Sequence, residues 1–319
     1  MNNMIAIAMA WAILLAPALA VSAETAEKAP AARSPAPLAA TPRTFDTPRQ
    51  AADALIAAAA DFDVAALKEI LGPAGVDLVV TEDTVQDRNQ AAAFAAKAHE
   101  KLEIVLDAKN PNRATLVMGN EDWPAPIPIV RKNGKWSFDA KAGRTEILYR
   151  RIGRNELDAI EICHGFVEAQ HEYASQKRDG SAVNQYAQRM ISTPGKQDGL
   201  AWRNPDGTWG GPLGEEIAGV IAEGYSDRLK PYHGYYFKVL RGQGPGALLG
   251  KLDYVVGGAM IGGFALVAAP SDYRVSGVKT FLVSQGGVVY QKDLGKKTLE
   301  TFRTVERFDP DKSWDPVDE

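Results

Sequence analysis

Between residues 235 and 291 the chain breaks into five short runs rich in aromatic and β-branched side chains, at 235–240, 252–256, 263–268, 278–283 and 288–291. Glycine-containing turns separate them, and strands so short and so closely joined can only fold back on one another, as an antiparallel meander does. The stretch before them reads differently. Residues 155–176 carry apolar side chains at Leu157, Ile160, Cys163, Val167 and Ala174, with Phe166 and Tyr173 on the same broad side, which predicts one long helix packed on that meander. A shorter helical piece is expected at 184–190, inside a looped region marked by Thr193-Pro194-Gly195, Asp198-Gly199 and Asp206-Gly207.

The first half has the reverse order, helices and then strands. Thr47 followed by Pro48 supplies a capping hydroxyl and a proline at the first helical position, and residues 50–60 are dense in alanine and leucine. Further helices are expected at 64–71, closed by Gly72 and Pro73, and at 89–99. Strands are expected at 114–118, 127–131 and 135–138, the last two joined by a hairpin at Asn133-Gly134. Segregated helices and antiparallel strands make an α+β protein.

The amino terminus reads as an export signal. An apolar stretch at 4–15 is followed by Pro17 and then by the small residues Ala18, Ala20 and Ala23, with cleavage expected after Ala23 or, second, after Ala20. The apolar run is shorter than the ~20 residues that span a bilayer. A periplasmic or secreted protein is therefore expected, with no membrane span after cleavage. Residues 24–44 carry Pro30, Pro35, Pro37 and Pro42 among alanines and read as an extended linker. The expected division is a signal peptide over 1–23, the linker over 24–44, one α+β domain over 45–150 and a second over 151–319.

With 36 basic against 40 acidic side chains, the chain has a formal net charge of -4 and no basic footprint for a phosphate backbone, so nucleic acid is not an expected partner. Cys163 is the one cysteine, so no intramolecular disulfide can form and the fold must rest on packing.

Residues 45–148 resemble, in element order, the nuclear transport factor two-like superfamily. That resemblance implies helices over a curved, cone-like antiparallel sheet enclosing a pocket, with Trp123 and Trp136 lining the pocket or packing at its rim. Other matches are longer. They are Arg150-Arg151-Ile152-Gly153-Arg154-Asn155-Glu156, Ser192-Thr193-Pro194-Gly195-Lys196 and Pro231-Tyr232-His233-Gly234-Tyr235-Tyr236-Phe237. Met260-Ile261-Gly262-Gly263-Phe264-Ala265-Leu266-Val267-Ala268 and Tyr290-Gln291-Lys292-Asp293-Leu294-Gly295 continue the series. On these motifs the chain resembles the bacterial domain of unknown function 2950 family over nearly all its mature length, a family that brings no catalytic residues with it. The long helix followed by runs at 234–240, 264–270, 277–283 and 287–290 is also similar to the globular part of type IV pilins, which implies a pilin-like second half.

Two constellations could carry chemistry. His164, Glu168 and His171 fall at i, i+4 and i+7 on the long helix and share one face, as metal ligands would and as a solvated helix edge also would. His233, set among Tyr232, Tyr235 and Tyr236, is the best lone histidine for ligand contact or for turn architecture. No Gly-x-Ser-x-Gly elbow or phosphate loop is present. The expected function is a non-catalytic binding or assembly accessory of the cell envelope, without a cofactor, whose partner is an envelope protein or a small molecule. His233, Tyr235 and Trp123 are its expected ligand contacts. The alternative is an envelope hydrolase or a metal-dependent enzyme using His233 or the His164, Glu168 and His171 stripe.

Overall fold

A computed structural model describes residues 41–214 and 231–318. The expected signal peptide and nearly all of the linker lie outside the described residues. Among the described residues no helix is long and apolar enough to cross a membrane.

Each of the three α-helices that open the first half starts on a side-chain cap. In α1 (Pro48–Ala60) Thr47 Oγ1 accepts from the Gln50 amide at 3.1 Å, and in α2 (Val64–Leu71) Asp63 accepts from the amides of Ala65 and Ala66. Asp83 caps α3 (Thr84–Glu100) in the same way. The strands β1 (Leu102–Asp107), β2 (Asn110–Met118), β3 (Trp123–Pro124), β4 (Ile129–Lys132) and β5 (Lys135–Phe138) form an antiparallel sheet in the order β1-β2-β4-β5, with β3 added to β2. Asn133 and Gly134 both have positive φ, 50° and 77°, as the two-residue turn between β4 and β5 requires.

This sheet corrects the cone. It is open, and β2 meets β4 through only two residue pairs, Arg113 with Val130 and Ala114 with Ile129. With β4 and β5 each four residues long, the strands are too short to wrap around an enclosed volume. The helices instead close one face of an open sheet, and their side chains with those of β2, β4 and β5 form a first hydrophobic core.

Helix α4 (Ala140–Ala174) starts far earlier than expected. It is capped by Asp139 and runs 35 residues; its start approaches Ile127, between β3 and β4, and its later turns pack against the second sheet. Gly143 lies at the end of its first turn because a Cβ there would stand 2.7 Å from Ile127 Cγ1, so glycine serves close packing at this point and does not end the helix.

Past α4, residues 184–190 are not helical. Tyr186 bridges to Met260 and the Ala187 backbone is held by the Gln170 side chain, so the donors and acceptors a helix would need are already engaged. Short pairs follow: β6 (Trp202–Arg203) with β7 (Trp209–Gly210), β9 (Gly242–Gln243) with β10 (Leu252–Asp253), and β11 (Val255–Val256) with β12 (Ala259–Met260). The main second sheet is antiparallel throughout. It contains β8 (Tyr235–Leu240), β13 (Ala265–Pro270), β14 (Lys279–Ser284), β15 (Val289–Asp293) and β17 (Asp315–Pro316), in the order β17-β15-β14-β13-β8. A short helix α5 (Thr298–Thr304) packs against β13, and β16 (Arg307–Phe308) adds to β9 in parallel. Every side chain of β13 is buried, because it is the strand with α4 contacts on one side and α5 contacts on the other.

Candidate ligand-binding site

The first core is incompletely filled. Residues 57–60 are four consecutive alanines, and α1 presents Ala51, Ala52, Ala58 and Ala59 to the interior beside Leu55 and Ile56. Methyl side chains hold the helix close at its ends but cannot fill the space between helix and sheet, and a void persists where the neighbours do not collapse into it. Of the α1 alanines Ala59 borders the space left open, a cavity of about 270 Å³.

Its floor is buried and apolar, with Leu55 and Ala59 one turn apart on α1, Leu67 and Leu71 one turn apart on α2, and Leu116 on β2. Its rim is half-buried and includes Leu78, Phe94, Trp123, Pro126 and Ile147. Asp87 is the one carboxylate in the wall, and it accepts from the Thr81 amide at 2.6 Å and the Thr81 hydroxyl at 2.9 Å. The wall thus offers an apolar surface whose only charge already has its partners. At the rim, the Arg150 guanidinium lies over the Trp123 ring at 5.6 Å, its Nε donates to Glu146 at 2.8 Å and its Nη1 donates to the Pro124 carbonyl at 2.8 Å. This cage fixes the indole at the mouth.

A second hollow lies along α4. Tyr232 and Tyr235 exchange backbone hydrogen bonds across a two-residue turn in which His233 and Gly234 both have positive φ. The turn stacks the His233 ring on Tyr232 at 4.3 Å and presents its Nδ1 to Asp158 Oδ2 of α4. Glu161, Glu168 and Glu172 line the same hollow, so it is acidic. Its described lining holds no serine, threonine or cysteine that the His233-Asp158 pair could activate.

The expected ligand contacts therefore separate. Trp123 stands at the cavity of the first core, whereas His233 stands at the α4 hollow. Tyr235 reaches neither: its ring is buried, its hydroxyl donates to the Lys279 carbonyl at 2.8 Å, and burial, reinforced by Glu156, pushes its phenol far above the ordinary range. The stripe of His164, Glu168 and His171 also divides. His164 borders a hollow with residues 286–289, Glu168 faces the His233 hollow, and His171 packs edge-on to Phe264 at 5.5 Å and to Tyr186 at 6.3 Å. Among the described residues no group of three histidine, cysteine or acidic side chains could hold a metal ion.

Sequence reasoning missed the cavity wall and its arginine cage. The alanines that border the cavity, Ala59, Ala91 and Ala125, lie on different stretches of the chain, so no run of small residues signals it.

Cys163 is fully buried, and burial pushes its thiol up to about 12. The native protein at pH 8 is expected to leave Ellman's reagent unreacted over minutes and to release one equivalent on denaturation, because the thiolate is the reacting species. A prompt equivalent from native protein would show that α4 does not seal this position.

No curated protein and no solved structure matches the chain. A family model described as "Protein of unknown function (DUF2950)" matches residues 42–317, a span that contains the cavity, the α4 hollow and both principal sheets, and the chain belongs to that family.

Proposed function

We propose that the protein is exported and acts in the periplasm or outside the cell as a non-catalytic binding accessory of the envelope, taking an apolar group into the cavity between α1, α2, α3 and the first sheet. The observation that carries this reading is the cavity itself, a preformed apolar space of about 270 Å³ close to the ordinary size of small-ligand sites. Export is supported by the apolar run at 4–15 and the small residues up to Ala23. A binding role agrees with a wall whose one charged group is already hydrogen-bonded.

Ala91 on α3 lines the cavity, so Ala91→Phe places a ring in the space a ligand would take. Titration with the neutral fluorescent probe N-phenyl-1-naphthylamine is expected to show one saturable site in the wild type and none in Ala91→Phe. The variant is expected to melt at the same or higher temperature, since filling a void commonly stabilises by about 0.5–2 kcal/mol. Unchanged probe binding by a folded Ala91→Phe protein would place the binding elsewhere and remove the proposal.

A further inference from the structure

We infer that the cavity's ligand is a free single-chain amphiphile with an anionic head, its chain in the cavity and its carboxylate between Arg151 and Arg154. This rests on the cavity being a binding site, and it adds the ligand's chemistry. Ile147 is the one residue that α4 contributes to the cavity wall. Arg150, Arg151 and Arg154 follow it at i+3, i+4 and i+7, so all three leave the helix on the stripe that Ile147 occupies. Seven residues of helix carry that stripe roughly 10 Å past the wall.

The three arginines differ in what they are bonded to. Arg150 is engaged with Glu146, the Pro124 carbonyl and the Trp123 ring. Arg151 and Arg154 are exposed and have no hydrogen bond or ion pair among the described residues. The acidic side chains of α4 around them are already engaged: Glu146 accepts from Arg150, Asp158, four residues on from Arg154, pairs with His233 Nδ1, and Glu156 accepts from the Val278 and Lys279 amides at 2.8 and 3.0 Å. Two guanidinium groups on the helix stripe that leads away from the apolar wall, with their local carboxylates engaged, complement a carboxylate joined to a hydrocarbon. Their planar forks suit bidentate recognition of it.

The volume selects the chain. Cavities of ~150 Å³ lined by aliphatic and aromatic side chains accept benzene. A space of about 270 Å³ therefore accommodates a hydrocarbon on the order of ten carbons, and a two-chain lipid would leave its second chain outside.

The test is isothermal titration of the full mature protein with decanoate and with 1-decanol, repeated on Arg151→Ala/Arg154→Ala. Sedimentation with phosphatidylglycerol vesicles accompanies it. Wild type is expected to bind one decanoate about tenfold more tightly than 1-decanol. The double variant is expected to lose that tenfold preference with 1-decanol binding unchanged, and neither protein is expected to sediment with vesicles. Equal affinity for the two probes in both proteins overturns the head-group assignment and leaves the cavity reading standing. Failure of the wild type to bind either probe overturns both. Vesicle binding that the double variant abolishes, with decanoate affinity unaffected, assigns the arginines to a membrane surface and overturns the inference.

Discussion

Phe166→Ala is expected to lower the unfolding free energy by about 3–5 kcal/mol, the range for deleting a buried phenylalanine ring from a packed core. Phe166 is 1% exposed and meets Phe264 edge to face, with ring centroids 5.6 Å apart. Phe264 in turn touches Tyr186 at 4.7 Å and His171 at 5.5 Å, so one ring joins the long helix to the segment before β13 and to the extended stretch near Tyr186. Removing the Phe166 ring leaves His171 as this cluster's ring contact from α4, and aromatic pairs of this geometry contribute about 0.5–1.5 kcal/mol beyond area alone. The measurement is urea unfolding followed by far-ultraviolet circular dichroism, read as a shift in midpoint at constant slope. Leu157→Ala supplies the contrast. Leu157 is on the same helix but 69% exposed, and its truncation is expected to change stability by no more than about 0.5 kcal/mol. Similar losses for the two variants would mean that α4 does not present the Phe166 face to the second core.

Much of this architecture was readable because local chemistry and tertiary packing agree. The Asn133-Gly134 turn and the start of β8 follow from residues that tolerate or demand positive φ, and α1 begins where Thr47 and Pro48 say it should. Reading failed where packing overruled local preference. Gly143 and Gly153 make the start of α4 look broken, yet Gly143 is required by the approach of Ile127, and the helix continues through both. Residues 184–190 look helical in composition, but their backbone partners come from Gln170 and Met260, far away in sequence. The cone was an inference from element order alone, and strand length decides whether a sheet can wrap.

The candidate site was less legible still. Trp123 was expected at a pocket from the resemblance in element order, and it does stand at the cavity, but a void is defined by what its neighbours fail to fill and no motif marks it. His164, Glu168 and His171 share a helix face by spacing, yet a helix edge can border two different hollows, and this one does. Tyr235 looked available because it follows His233, but strand alternation turns successive side chains to opposite faces and sends its ring inward.

Gln170→Leu is expected to cost roughly 2–5 kcal/mol, because it removes two hydrogen bonds and leaves two buried backbone groups without partners. Gln170 is fully buried on α4; its Nε2 donates to the Ala187 carbonyl and its Oε1 accepts from the Ala187 amide, each at 2.8 Å. The side chain thus acts as a one-residue strand neighbour for a segment that has no regular ladder of its own. Leucine has nearly the same volume, so the loss reports the polar groups and not a cavity. Gln170→Glu separates these further through pH. A glutamate there is desolvated, which raises its folded-state pKa above the unfolded value of ~4.3. Stability near that of the wild type is therefore expected below ~pH 4.3, where the neutral acid can still donate to the Ala187 carbonyl, and it should fall as pH rises through the raised folded-state pKa. The check is the difference in urea midpoint between Gln170→Glu and wild type at pH 4 and pH 7. A difference that does not grow with pH, or a Gln170→Leu loss under about 1 kcal/mol, would mean that the 187 segment is held by its apolar contacts and not by this amide.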